Sequence, residues 1–69
     1  KQEIARAQKD EIAIARGRNP KVYLQTGAVG GLMEEDVNGA IVAARVFLAD
    51  KDGTYFLNSG EVRREDDEI

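Results

Sequence analysis

The sequence predicts a small mixed fold, α+β or small α/β, in the order N-terminal helix, short strand, central helix, short strand. Three observations carry that expectation. The chain opens on a stretch rich in alanine and charged helix formers. Two short runs of sheet-prone residues, KVYL and TYFL, lie further along. Between them an apolar stripe recurs at helical spacing.

Residues 2–16, QEIARAQKDEIAIAR, are read as the first helix because alanine, glutamine, glutamate, lysine and arginine all favour it. At helical periodicity Ile4, Ala5, Ile12 and Ala15 share one face, and Arg6, Lys9 and Asp10 lie opposite. Ile14 and Ala7 widen that face and Glu11 interrupts it. Gly17 is a natural stop, and GRNP reads as a turn.

Residues 21–26, KVYLQT, form the first strand candidate. TGAVGGLMEED, residues 26–36, reads as a flexible link into an acidic helix start, where Glu34, Glu35 and Asp36 suit the positive end of a helix dipole. The central helix then covers residues 34–48. Met33, Val37, Ala40, Ile41, Ala44, Phe47 and Leu48 share an arc of about 120° on it. Val42 and Val46 fall on the solvent side of that wheel and object to it, as does Gly39. The competing pattern is a hairpin: two sheet-prone runs in ARVFLADKDGTYFLN flank a turn at Asp50–Gly53, which would pack the N-terminal helix on a short antiparallel sheet. Thr54–Leu57 is a strand in both versions. Residues 1–60 are expected to form one small domain, and residues 61–69 a charged, frayed tail.

A chain of 69 residues is one domain at most, and it buries only about 60% of its unfolded surface. With no cysteine and no histidine, neither a disulfide nor the usual zinc ligands reinforce that core. No apolar run approaches the roughly 18 residues of a membrane span, and no signal-peptide pattern is visible. The expectation is a cytoplasmic protein with no membrane partner. Because the first residue is Lys1, a processed or partial chain is also considered.

The glycines of TGAVGGLMEED invite a phosphate-loop reading, which fails on spacing and on charge. A nucleotide loop needs GxxxxGK followed by serine or threonine, and the lysine is missing. Gly27, Gly30 and Gly31 do not make GxGxxG either. DKDG resembles the middle of a calcium loop, yet the flanking ligand positions fall on Leu48 and Ser59, so Asp50 and Asp52 read as turn residues with Gly53. The carboxylates of Glu34–Asp36 and Glu65–Glu68 look solvated, and Ser59 has no histidine to activate it. No catalytic, cofactor-binding or metal-binding residue is therefore expected, and the chain is not expected to be an enzyme.

What remains is surface. A small core and a thin sheet with open edges, together with apolar residues left outside the stripes, point to a protein–protein interaction module. It would be a subunit, adaptor or inhibitor working as an oligomer or in a complex. Ile14, Val42, Val46 and Tyr55 are the candidate interface residues. The alternative is a small nucleic-acid-associated regulator using Arg16, Arg18 and Lys21, with Arg63 and Arg64 as auxiliaries. A net charge of −3 gives it no global basic field.

Overall fold

The computed structural model describes residues 4–65, and every regular element in that span is a β-strand. The strands are β1 (Ala5–Ala7), β2 (Ile12–Gly17), β3 (Lys21–Leu24), β4 (Val29–Glu35), β5 (Ile41–Leu48), β6 (Gly53–Asn58) and β7 (Glu61–Arg64). They form two facing sheets. One has four strands in the order β1-β3-β6-β7, and the other has three in the order β2-β4-β5.

The mixed fold is thus corrected to an all-β one. Residues 5–17 are two strands in different sheets, and residues 41–48 are a third. Helix propensity is a weak prior that tertiary pairing overrides. Both segments also carry the period of a strand. In IAIARG the alanines point inward, with Ala13 only 5% exposed, and the isoleucines point outward. In β5, Ala43 and Phe47 face the core while Val42, Ala44, Val46 and Leu48 face solvent. The two valines that fitted no helix therefore belong to one outward row.

The chain is laid down in layers. β1 and β2 form a first layer, the chain crossing from one sheet to the other through an arch at residues 8–11. β3 and β4 repeat that layer directly above it. Ala5 faces Val22 and Ile12 faces Val29, both in parallel, so both sheets share one offset: 22 − 5 = 29 − 12 = 17 residues. The arches repeat too. Glu11 N donates to Gln8 O at 2.9 Å, and Ala28 N to Gln25 O at 2.9 Å. Asp10 (φ 68°) and Gly27 (φ 92°) hold the same left-handed position in the two arches. Asp10 N donates to Gly27 O and Val29 N to Glu11 O, which joins arch to arch.

A hairpin then reverses the chain. Asp36 Oδ1 accepts from Asn38 N at 2.8 Å and Ala40 N at 3.1 Å, so this acid builds a turn and does not start a helix. The third layer retraces the second in antiparallel sense, β5 against β4 and β6 against β3. The expected hairpin at Asp50–Gly53 is accordingly corrected. Residues 49–52 carry the chain between sheets, and β5 and β6 do not pair with one another. A last tight turn at Asn58–Glu61 adds β7 to the four-stranded sheet, so Glu61–Arg64 of the expected tail are strand. Residues 66–69 lie outside the described residues.

Between the sheets lie Ala7, Ala13, Val22, Leu24, Ala28, Leu32, Ala49, Tyr55 and Leu57, all buried. Phe47 meets Tyr55 at a centroid distance of 5.3 Å and an interplanar angle of 47°. Gly30 makes that packing possible. A Cβ on it would come within 2.7 Å of both Leu24 Cδ1 and Phe47 Cζ.

Candidate interaction surface

The outer face of the three-stranded sheet is the most apolar surface of the described residues. The registers place its side chains in rows across the strands: Ile12, Val29, Leu48; then Ile14, Gly31, Val46; then Arg16, Met33, Ala44. Ile12 and Ile14 are each 57% exposed, Leu48 68% and Val46 77%. Those four side chains alone expose on the order of 500 Å², towards the upper end of what a soluble monomer leaves uncovered. Gly31 sinks the centre of the face. Ile14 and Val46 rise on either side of it, and a Cβ there would touch only Ile14, whose Cγ1 lies 3.4 Å away. The face is closed at one end by an ion pair, Arg16 Nε to Glu35 Oε2.

The candidate interface residues divide. Ile14, Val42 and Val46 come together on this face, with Val42 60% exposed at the end of the outward row of β5. Tyr55 does not join them. It is buried in the core, and its hydroxyl donates to Lys51 O at 2.6 Å. Ile12, Leu48 and Gly31 also belong to the face and were not recognised from sequence. The alternation Ile-Ala-Ile-Ala was the available signal for Ile12, and the even spacing of β5 for Leu48.

The candidate nucleic-acid residues do not form one patch. Arg16 lies on the three-stranded sheet and is paired with Glu35, while Lys21 lies on the other sheet and is paired with Glu65 at 2.9 Å. Arg18 is exposed in the connection between β2 and β3. Arg63 pairs with Glu61 at 2.8 Å, and Arg64 Nη1 donates to Asp52 O at 3.0 Å.

The polar groups mostly serve turns. Asp52 Oδ1 accepts from Thr26 N at 2.8 Å and from Thr26 Oγ1 at 2.9 Å, which pins the arch between β5 and β6 to that between β3 and β4. These two bonds, the backbone one foremost, hold its carboxyl below the usual aspartate value. Glu34 Oε1 accepts from Gly60 N at 3.2 Å. Ser59 sits in the last turn with a left-handed φ of 53°. An open hollow of about 540 Å³ on the four-stranded sheet is lined by Asn19, Lys21, Phe56, Leu57, Asn58 and Glu65, and its two charges are bonded to each other. Among the described residues no three acidic, histidine or cysteine side chains gather as a metal site. No helix of the structure is long and apolar enough to cross a membrane. No protein-family model matches the chain, and no curated protein or solved structure matches it significantly.

Proposed function

We propose that this chain is a non-enzymatic protein–protein interaction module, a subunit or adaptor that works through the outer face of its three-stranded sheet. The observation that supports the reading is the face itself. It is a flat, strand-built surface with Ile12, Ile14, Val46 and Leu48 more than half exposed and no charged side chain in its first two rows. Covering such area removes it from water at about 25 cal/mol per Å². The separation and local pairing of Arg16 and Lys21 leave the nucleic-acid alternative without a comparable observation.

The test is the pair Ile14→Lys and Val46→Lys. Both side chains point to solvent, so the strand content measured by far-UV circular dichroism should be unchanged. Self-association in light scattering, or retention of a partner identified by crosslinking to wild type, should be lost. Association that persists in the double variant at high salt would remove this face from the account.

A further inference from the structure

The layers do not end evenly. Three layers are complete in both sheets, but the four-stranded sheet carries β7 beyond them, and no described strand of the other sheet stands opposite β7. The missing place is bounded by the free edge of β5 on one side and by the inward side chains of β7 on the other. Burial falls off toward it. Along one inward row Leu32 is fully buried and its neighbour Arg45 is exposed, and along another Gly30 is buried and Phe47 only partly so. In the facing sheet Leu57 is 2% exposed and its partner Val62 only partly buried. At the opposite end the inward Ala7 and Ala13 are already covered, at 3% and 5%. Ala5, in the inward row of Val22, is exposed there, so among the described residues the core is uncovered beside β5 and β7 and thinner beside β1.

The edge of β5 is equipped to pair. Backbone groups alternate between the two sides of a strand. Val29 gives its N–H to Glu11 O on the β2 side, so Gly30, Leu32 and Glu34 turn theirs toward β5. Their partners Phe47, Arg45 and Ala43 are thereby used, and the N–H groups of Ala44, Val46 and Leu48 face the open edge. Arg45 brings positive charge to the notch, one row from Glu34, whose carboxylate is engaged by Gly60 N. Arg45 leaves β5 on its inward side, but its Nη1 bonds the Ala44 carbonyl at the open edge and its Nη2 lies by Gly60, so an added strand displaces that bond; no carboxylate is in ion-pair reach of Arg45 among the described residues. Arg64 is also inward on β7, but at the other end of the strand, where it pairs beside Tyr55 and donates to Asp52 O.

We propose that this notch binds one extended segment of a partner protein, which pairs with β5 as a fourth strand of the smaller sheet. The chemistry of the notch specifies that segment. It carries an acidic side chain at the inward position beside Arg45, and apolar β-branched side chains at the outward positions beside Val46 and Leu48. Strand addition of this kind gains affinity from main-chain hydrogen bonds and selectivity from alternate side chains. The strand addition and its acidic position stand on the unequal strand count, the burial gradient and Arg45; only the apolar outward positions share Val46 and Leu48 with the docking face described above.

The probe is a synthetic seven-residue peptide that alternates valine with threonine and has glutamate at the centre of its threonine face. A second peptide has lysine there. Added to the full chain, the glutamate peptide should protect the N–H groups of Ala44 and Val46 from hydrogen exchange, read by NMR. The lysine peptide should bind about tenfold or more weakly. Arg45→Glu should reverse that order, and Arg45→Ala should abolish the preference, each with unchanged circular dichroism. Ile14→Lys, on the far strand of the sheet, should leave peptide binding as it was, so failure of the docking-face reading would not register here. Equal binding of both peptides, no binding by either, or protection at β1 and β2 in place of β5 overturns the proposal.

Discussion

The three glycines of residues 27–31 serve three separate needs. Gly27 takes the left-handed corner of an arch, Gly30 leaves room for Phe47 and Leu24, and Gly31 hollows the outer face. Gly30→Val should destabilise the fold by about 1–3 kcal/mol, as overpacking of a filled core does, measured as a lower denaturant midpoint. Asp52 sets an acid limit on stability. Its carboxyl titrates lower when folded than when unfolded. The stabilisation it gives is therefore fully present above its unfolded pKa of about 3.9 and disappears as pH falls through the lower folded value. Asp52→Asn should flatten the fall in denaturant midpoint between about pH 5 and pH 2.

At the scale of the element, the arch is the unit of construction, and the two parallel arches differ at one telling residue. Gly27 and Asp10 share the left-handed corner, but a Cβ on Gly27 would also meet Lys9 Cγ at 2.8 Å. Gly27→Val should cost about 1–3 kcal/mol in a denaturation curve, because a β-branched residue is strained there. Asp10→Gly should stay within about 0.5 kcal/mol of wild type, since glycine accepts that corner freely. The recurrence of the arch was present in the sequence as Gln8 and Gln25 at matching positions. It was not legible there, because alanine and isoleucine in one copy answer leucine and glycine in the other. Strands β3 and β6 were legible, being short runs of β-branched and aromatic residues between turns. The helix assigned to residues 34–48 was a true stripe at the wrong period. In a segment apolar at nearly every position a helical stripe can be drawn through either face, and here its Phe47 faces the core while Ala44 and Leu48 face solvent.

For the whole molecule, far-UV circular dichroism should show a single strand-type minimum and no helical double minimum. Two sheets built from stacked layers explain how so short a chain builds a core without cysteine. Each layer covers the one before it, and both sheets inherit the same register. The consequence for function lies in what the layers leave uncovered: one apolar face on the smaller sheet and one open end beside β5. Sequence alone determined that the chain turns at GRNP and breaks its strand at Asn58–Gly60, and which catalytic residue types it lacks, but it ran a helix through the turn at Asp36–Gly39. It also placed strands at Lys21–Leu24 and Thr54–Leu57. Tertiary structure alone decided that the remaining apolar segments are strands, which of their faces is buried, and that Ile14, Val42 and Val46 share a surface. The reason is physical. Turn chemistry is local and acts through a few backbone angles, whereas the pairing of β1 with β3 and β2 with β4 joins residues 17 positions apart, that of β3 with β6 joins residues 29 or more apart, and all are settled only when the two sheets close on each other.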